Sequence, residues 1–466
     1  MKSSQQSQPG EWVLTLPGNV KISVPGGKHC LSTYVLLEQG DWFEQEISFL
    51  RKYLSAGMKI IDVGANYGMY TLSMAQTVGD KGYVWAFEPA ADTVGYLNSS
   101  IKLNQFDHIS LLQQGLSNRE GSATFYISGR AEMNSLNPVS GSAATETIQL
   151  TTLDQCMDRY HWADIDFIKL DAEGEESRII DAADRMLSEL SPLIMFELKH
   201  SRQVNLPLIE RFAEHSYDTY WLMPGLQLLV PFNPDIEFDP YLLNLFCCKR
   251  DKAERLAQSN VLVQQYEEVT IEVEGKAEAY LDTLPFSSEA ATTVVSENPE
   301  KIDYQEMLDY YVASFDPAIS PVQRVASLMR SLEISRQITR VANNGKSCSL
   351  DQVASHIRIA HDAGARVRGV QLAREFLDSD RMLSGLSITT PFLPACARYD
   401  LIAPGANPGN WLLSSIVEQW VKYHSFSSYF TAIKALPELR RLAALGFMDE
   451  AMKRRFNLVS SLKFKD

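Results

Sequence analysis

The chain has 466 residues and a formal net charge of −15 at pH 7, and 45% of its residues are hydrophobic. This length predicts two to three domains, and the hydrophobic fraction is enough for packed cores. The acidic balance argues against nucleic acid as a partner, because binding a phosphate backbone requires clustered Lys and Arg. No apolar run is long enough to span a membrane, and the polar start Met1–Gly10 predicts no signal peptide. We therefore expect a cytoplasmic protein.

The residues before position 59 are predicted to form a small cover for a following sheet. Trp12–Val24 and Tyr34–Leu37 are interpreted as a small β-hairpin. Trp42–Leu54 has apolar residues at helical spacing and is followed by Gly57. We expect this helix to pack on the sheet and to cover a bound ligand.

A strand, a glycine turn and a helix are predicted next. Lys59–Val63 is a short β-branched apolar run that indicates a buried strand, and Met69–Val78 has apolar residues at helical spacing. Between them lies Gly64-Ala65-Asn66-Tyr67-Gly68, whose glycines allow the backbone to approach a ligand closely. Asp62 stands at the carboxyl end of the strand, where open α/β sheets bind ligands.

A dinucleotide-binding turn is the main alternative for this loop. That turn requires G-x-G-x-x-G, whereas here Asn66 stands where the second glycine would admit a pyrophosphate. The missing glycine and the upstream acid favour a cationic, phosphate-free nucleoside such as S-adenosylmethionine over NAD. Glu88 ends the next predicted strand, 24 residues after Gly64, about the offset at which a carboxylate reaches ribose hydroxyls. The predicted cofactor contacts here are Asp62, Gly64, Asn66, Gly68, Glu88 and Pro89.

Three later predicted strands also end in glycine or polar residues. They are Ile109–Gln113 before Gly115-Leu116, Asp166–Leu170 before Asp171-Ala172-Glu173, and Leu193–Phe196 before Glu197. Carboxyl ends of parallel strands meet at one edge of a sheet, so Gly115, Leu116 and Asp171 join the predicted cofactor site. Closing strands are predicted at Thr219–Met223, Leu226–Val230 and Leu243–Cys248.

Over roughly residues 11–250 the chain resembles the FkbM family of S-adenosylmethionine-dependent methyltransferases. The family's landmarks occur in order at Asp62–Thr71, Phe87–Pro89, Leu97–Asn104, Asn134-Ser135, Thr152–Asp154 and Ile168–Glu176. The last one departs from the usual Glu-Gly-Ala-Glu, because Gly174 is followed by Glu175 and Glu176. The resemblance implies an α/β class I methyltransferase fold, with a Rossmann-like, mostly parallel sheet and an antiparallel last strand. It also implies O-methylation of a small-molecule or glycan hydroxyl, such as a sugar of a bacterial glycan or natural product.

Methyl transfer to a hydroxyl requires a group that removes the hydroxyl proton. Asp171 is our first candidate for this base, or alternatively for a ligand of the cofactor's ammonium; Lys169 and Glu173, which flank it, are expected on the opposite sheet face. Glu173 and Glu197 are the next candidates, followed by His200, whose setting is more typical of a surface histidine. A divalent metal could be shared by Asp171 and Glu197, but nothing in the spacing demands one, and we predict no metal.

The composition changes near residue 300. Residues 251–300 carry three Lys or Arg against eleven Asp or Glu, with a Ser/Thr/Ala-rich stretch at Ser287–Ser296, which predicts an acidic linker. Later segments have helical spacing: Met307–Phe315, Val322–Val341, Leu350–Ala363, Val367–Leu377 and Trp411–Tyr423. We therefore predict a methyltransferase domain at 1–250, a linker at 251–300 and an all-α accessory domain at 301–466.

The helical domain has four open roles: binding a carrier, a protein partner or a second copy of the chain, or buttressing the catalytic domain. An alternative function is a non-catalytic S-adenosylmethionine-binding module whose helical domain mediates protein interaction. The intact Asp62, Gly64, Gly68 and Glu88 argue against that alternative. A nicotinamide oxidoreductase would need the missing glycine fingerprint.

Overall fold

The computed structural model describes residues 10–128, 131, 134–137, 144–200, 203–266, 272–281, 283, 299–342, 349–379 and 391–462. The chain divides into two compact units. The first comprises Met1–Leu222, Pro231–Ile236 and Leu242–Val261, and the second comprises Met223–Val230, Glu237–Tyr241 and Leu262–Asp466. Within the described ranges, none of the helices combines the length and the apolar character needed to cross a membrane.

The first unit begins with an antiparallel hairpin of β1 (Glu11–Leu16) and β2 (Val20–Pro25). This confirms the hairpin predicted at Trp12–Val24. The extension of that hairpin to Tyr34–Leu37 is wrong, because these residues lie in the helix Leu31–Gln39. Most of that helix is buried on all sides, so its apolar residues leave no helical stripe in the sequence. The predicted cover helix is present as Gln45–Tyr53.

Thirteen further strands lie in the described part of the chain. They are β3 (Lys59–Val63), β4 (Tyr83–Phe87), β5 (Ile109–Leu112), β6 (Gly115–Leu116), β7 (Gly121–Ile127), β8 (Ala144–Thr151), β9 (Phe167–Leu170), β10 (Leu193–Glu197), β11 (Lys199–His200), β12 (Gln203–Val204), β13 (Tyr217–Met223), β14 (Leu228–Pro231) and β15 (Asn244–Lys249).

Seven strands of the first unit form the central sheet, in the order β13-β15-β10-β9-β3-β4-β5. The neighbours from β10 to β5 are parallel. Strand β15 is antiparallel to both β10 and β13. The last strand among the described residues is thus the antiparallel one, and the predicted class I methyltransferase fold is confirmed. The middle strands are buried on both faces, which explains why they read as continuous apolar runs.

Helices connect these strands and place their carboxyl ends at one edge. In the first unit the helices after β3 are Met69–Val78, Ala91–Asn104, Leu153–Tyr160, Glu176–Ile180, Asp184–Glu189, Leu206–Glu214 and Arg250–Gln258. A three-stranded sheet, β6-β8-β7, stands beside this edge. Gly115–Leu116, which follow the predicted strand Ile109–Gln113, form its short strand β6, paired in parallel with β8. Phe125, Ile148 and Leu150 form the apolar core of this small sheet together with Ala90.

The second unit is helical after residue 300, as predicted: its described residues there contain helices and no strand. Its helices are Lys276–Leu281, Pro299–Ser314, Pro321–Ala342, Leu350–Asp362, Arg366–Leu377, Pro408–Tyr423, Ala432–Leu445 and Glu450–Ser460. Pro408–Tyr423 is the central helix, and Trp411, Leu412 and Ile416 on it are fully buried in the apolar core of this unit. The last two helices were not predicted.

The predicted linker at 251–300 contains two described helices. Arg250–Gln258 belongs to the first unit and Lys276–Leu281 to the second. Residues 267–271, 282 and 284–298, including the Ser/Thr/Ala-rich stretch, lie outside the described residues. The domain boundaries therefore stay a proposal.

Cutting the chain within residues 284–298 is expected to leave cofactor binding intact, because the candidate site described below is built by the first unit alone. A protease site inserted there and cleaved in the purified protein should change the dissociation constant of S-adenosylmethionine by less than about threefold. Calorimetric titration before and after cleavage measures this. Loss of binding on cleavage would mean that the helical unit is part of the catalytic core.

Candidate active site

A pocket opens at the carboxyl edge of the parallel strands, within the first unit. It contains about 1260 Å³ of empty space, including the part open to solvent. Nine of the residues predicted from sequence line it: Gly64, Asn66, Glu88, Pro89, Gly115, Leu116, Asp171, Glu173 and Glu197. The fold therefore brings the ends of β3, β4, β9 and β10 and strand β6 to a single cavity, as the sequence predicted.

The glycines of the loop after β3 are required by the protein's own backbone. Gly64 has φ +76°, and a Cβ there would lie 1.8 Å from the carbonyl oxygen of Asp171. Gly68 has φ +97°, and its Cβ would lie 2.5 Å from the Leu97 side chain. Both backbone conformations disfavour residues with a side chain. The glycines thus allow close packing of the loop on β9 and on the helix Ala91–Asn104. The close approach of this loop to a ligand stays a prediction.

Glu88 is held in a fixed position at the end of β4. Its Oε2 accepts a hydrogen bond from the Asn66 backbone N–H at 2.9 Å, and its Oε1 accepts one from the Ala90 N–H at 2.9 Å. Asn66 itself has φ +50°, and its Oδ1 accepts from the Tyr67 N–H at 2.7 Å. A carboxylate offers about four acceptor positions, so two remain for a ligand. Burial raises the pKa of Glu88 to about 7.

Asp62 and Asp171 are joined by a buried lysine. Lys169 Nζ lies 2.9 Å from Asp171 Oδ2, 3.8 Å from Asp62 Oδ1 and 3.4 Å from the Gly64 carbonyl oxygen. Asp62 is fully buried below the loop, where its Oδ2 accepts from the Thr71 hydroxyl at 2.5 Å, and it does not line the pocket. The expectation that Lys169 points away from Asp171 is wrong, because residues two apart on a strand share a face.

Carboxylates dominate the end of the pocket near Asp171. Ligand oxygens of Asp171, Glu176 and Glu197 lie within 4.8 Å of one another. Burial, together with the charges of Asp171 and Glu173, raises the pKa of Glu197 to about 10. Glu176 Oε1 accepts from the N–H groups of two residues in the turn after β9. The His200 side chain lies outside the described residues.

Trp42–Glu44, predicted as the start of the cover helix, lies just before that helix and lines the pocket. Glu44 was not among the predicted site residues. Glu44 Oε2 accepts from the Tyr70 hydroxyl at 2.6 Å and from Asn244 Nδ2 at 3.1 Å, and Glu44 Oε1 accepts from Trp42 Nε1 at 3.0 Å. These donors come from three separate stretches of chain. The only signal in the sequence was the presence of two aromatic residues before a helix.

The acid that departs from the family pattern also has a defined place. Glu175 is buried, and its Oε1 accepts from the Ser117 hydroxyl at 2.9 Å, while Arg178 pairs with the same carboxylate at 3.1 Å. Glu175 therefore links the turn after β9 to the residue that follows β6. It lines the pocket without being free to approach an acceptor.

The pocket fits S-adenosylmethionine on three observations. Glu88 has two free acceptor positions for ribose hydroxyls. Gln114 Oε1 is buried at the pocket without a hydrogen-bond partner, which suits the amino group of adenine, and Leu116, Phe125 and Ile148 supply apolar walls. Six carboxylates line the pocket, whereas Lys169 is the single Lys, Arg or His among its described lining residues, which suits a cationic ligand without phosphates.

The fold and the pocket together define a class I S-adenosylmethionine-dependent methyltransferase. Residues 62–219 match the family model of the methyltransferase FkbM domain, so the resemblance found in the sequence is confirmed over that range. The methyl donor is accordingly S-adenosyl-L-methionine. No curated protein matches the chain.

Similar solved structures are methyltransferases at low identity. A putative rRNA methylase from Clostridium thermocellum is 13% identical, with 45% of this chain and 95% of that chain covered and a TM-score of 0.29. A SAM-dependent methyltransferase from Aquifex aeolicus is 12% identical, with 46% of this chain and 92% of that chain covered and a TM-score of 0.26. A SAM-dependent O-methyltransferase from Thermotoga maritima is 12% identical, with 57% of this chain and 98% of that chain covered and a TM-score of 0.26. The family match, rather than these similarities, supports the conclusions below.

Replacing Glu88 with Ala is expected to weaken S-adenosylmethionine binding by about 10- to 100-fold. The variant loses its charge-assisted hydrogen bonding to the ribose, and the net loss of about one such bond costs roughly 1.5–3 kcal/mol. Calorimetric titration measures the effect, and circular dichroism checks the fold. Glu120→Ala, which removes an exposed carboxylate paired with Arg159, serves as the control. Unchanged affinity in a folded Glu88→Ala protein would remove Glu88 from the site.

The affinity for S-adenosylmethionine is also expected to fall as the pH drops below about 7. Protonated Glu88 is a poorer acceptor than the carboxylate, and its pKa is raised to about 7 by burial. Because this folded-state pKa lies above the ordinary value of 4.5, the group's contribution to stability is complete below pH 4.5 and is lost as the pH rises through 7. Glu88→Gln should remove the pH dependence of S-adenosylmethionine affinity and also this group's pH-dependent contribution to stability. Equal pH dependence in wild type and Glu88→Gln would contradict this assignment.

Proposed function

We propose that the protein transfers a methyl group from S-adenosylmethionine to a hydroxyl of a sugar, in a bacterial glycan or a natural product. The observation that supports this best is the Asp171 carboxylate, which lines the pocket with 37% of its side chain exposed and is oriented by Lys169. A fixed carboxylate is the group needed to take the proton of a weakly acidic hydroxyl. The neighbouring Trp42 and Phe43 rings, 4.5 Å apart, offer apolar faces for a sugar ring.

The residues of this site have separable roles in the proposed reaction. Bound S-adenosylmethionine supplies an activated methyl group. Glu88 holds the ribose end, so that the acceptor and the methyl group are presented in line; such orientation contributes roughly 7–11 kcal/mol. As the oxygen–methyl bond forms and the sulfur–methyl bond breaks with its electron pair left on sulfur, the hydroxyl proton passes to Asp171. Glu197 is the second candidate for this proton.

The acceptor is tested with S-adenosylmethionine that carries a deuterated methyl group. The protein is incubated with a panel of neutral sugars, amino sugars, glycan fragments and hydroxylated natural products, and label transfer is followed by mass spectrometry. We expect label on an oxygen of a hydroxylated ring, located by NMR. Transfer to nitrogen, carbon or RNA instead would contradict O-methylation. A parallel reaction with EDTA tests whether a divalent cation at the Asp171–Glu176–Glu197 carboxylates takes part.

We further propose a cytoplasmic location and a binding role for the helical residues 301–466, either with a protein partner or with a second copy of the chain. The location is supported by the free thiols of Cys30, Cys156, Cys247, Cys248 and Cys396, because a reducing compartment keeps thiols free. Light scattering on the purified full chain measures its mass in solution. A mass twice that of the 52.4 kDa chain supports self-association. A monomeric mass would leave a different protein as the partner.

A further inference from the structure

The segment Asp41–Glu44 precedes the cover helix, and its last three residues line the pocket. The proposed reaction does not use Glu44. This carboxylate stands at the same end of the pocket as the candidate bases, because Asn244, which donates a hydrogen bond to it, pairs across the sheet with Glu197. The segment therefore forms a wall of the pocket on the side where we place the acceptor.

Both ends of this segment are bonded to the helix that follows β3. At the first end, Arg51 donates to both carboxylate oxygens of Asp41, at 2.5 and 2.8 Å, and also to the Ser73 hydroxyl. At the other end, the Tyr70 hydroxyl donates to Glu44 Oε2 at 2.6 Å. Tyr70 and Ser73 are three residues apart and so lie on one face of their helix. The wall is thus held at two points.

Glu44 also fixes the orientation of the Trp42 ring. Its Oε1 accepts from Trp42 Nε1 at 3.0 Å, while Asn244 Nδ2 donates to its Oε2 at 3.1 Å, in addition to the Tyr70 hydroxyl. The protein's own donors therefore occupy three of the about four acceptor positions of this carboxylate. This occupancy favours a role in fixing the ring over a role in taking a proton from the acceptor.

We propose that Glu44 is a positioning residue that holds the Trp42 indole in place as the wall on which the acceptor ring packs. A side chain that is fixed in advance loses no rotamer freedom when the acceptor binds, whereas a mobile one does. The acceptor is then a sugar that places an apolar ring face on Trp42 and a hydroxyl near Asp171. This inference rests on the proposed sugar acceptor.

The first test follows the Trp42 indole N–H by NMR in protein labelled with 15N-tryptophan, with S-adenosylhomocysteine bound and no acceptor present. The chain has seven tryptophans, and the Trp42 signal is the one missing from Trp42→Phe. Glu44→Ala removes the hydrogen-bond acceptor, so exchange of this N–H with solvent should accelerate by at least about tenfold. Glu44→Gln retains an oxygen that accepts from the indole and should stay close to wild type.

The second test measures the binding of methyl glycosides of neutral and amino sugars by calorimetric titration, again with S-adenosylhomocysteine bound. The best-binding glycoside should bind about 5- to 10-fold more weakly to Glu44→Ala, because the ordering of the indole then falls on the binding step. Trp42→Phe lacks the indole N–H and should show a similar loss, and the double variant should lose no more than either single variant. Affinity for S-adenosylhomocysteine should stay unchanged. Trp12→Phe, at an exposed residue of β1, is the control and should behave as wild type.

Unchanged solvent exchange of the Trp42 N–H in folded Glu44→Ala would overturn the proposal. So would losses of glycoside affinity that add in the double variant, a Glu44→Gln protein that behaves as Glu44→Ala, or a wild-type protein that binds none of the glycosides. If Glu44→Ala does not fold, Tyr70→Phe removes one donor to the same carboxylate, and the same two measurements apply. Neither measurement involves methyl transfer, so failure here is distinct from failure of the proposed O-methylation, which the labelled-methyl experiment decides.

Discussion

Replacing Asp171 with Asn is expected to reduce turnover by at least about 100-fold, since a general base contributes roughly 10²–10⁴ in rate. The amide keeps the shape of the side chain but cannot take a proton. Steady-state release of S-adenosylhomocysteine in the presence of the acceptor measures the loss. Asp164→Asn, at an exposed carboxylate paired with Lys59, is the matched control and should retain wild-type turnover.

The cofactor affinity of Asp171→Asn decides what kind of role the carboxylate has. Retained affinity with lost turnover assigns Asp171 to activation of the acceptor. A parallel loss of affinity assigns it to the cofactor instead. Turnover close to that of wild type would contradict both roles, and the base would then be sought at Glu197 and His200.

Replacing Gly64 with Ala is expected to lower the free energy of unfolding by about 2–5 kcal/mol and to abolish cofactor binding. A left-handed residue with a side chain costs roughly 1–2 kcal/mol, and an overpacked site adds about 1–3 kcal/mol. The overlap is severe, because the new Cβ would lie 1.8 Å from the Asp171 carbonyl oxygen. Relief requires the loop to move away from β9, which displaces Gly64 and Asn66 from the pocket.

Gly18→Ala supplies the control for Gly64→Ala. Gly18 is also left-handed, with φ +77° and ψ 13°, but a Cβ there would meet no atom closer than 3.7 Å. Its cost should be the backbone strain alone, about 1–2 kcal/mol. Chemical denaturation compares the two variants. Equal stability of Gly64→Ala and Gly18→Ala would show that contact with the Asp171 backbone is not what requires a glycine at position 64.

Residues that directly follow a parallel strand could be placed from the sequence, because the carboxyl edge of the sheet determines their position. Each strand is recognisable in the sequence as an apolar run. The acid or glycine that follows the run must then lie at the carboxyl edge that the parallel strands share. Glu88, Asp171 and Glu197 were located in this way, and all three line one pocket. The antiparallel strand β15 was expected only because the family resemblance implied it, since a buried apolar run carries no sign of its direction.

Residues that depend on contacts between distant segments were not predictable. Glu44 receives donors from Tyr70 and Asn244, which lie 26 and 200 positions away in the chain. Lys169 was assigned to the wrong face of β9, although strand alternation places it beside Asp171. The helix Leu31–Gln39 was mistaken for strand because its buried residues show no amphipathic stripe. Tertiary packing determines each of these features.

Calorimetric titration of the full chain with S-adenosylmethionine, S-adenosylhomocysteine and NAD tests the account most directly, because the central claim is that the pocket beside Glu88 and Asp171 takes a phosphate-free adenosyl cofactor. We expect one site for S-adenosylmethionine and S-adenosylhomocysteine, competition between them, loss of affinity in Glu88→Ala and no binding of NAD. Binding of NAD, or no binding of S-adenosylmethionine to the folded protein, would contradict the account.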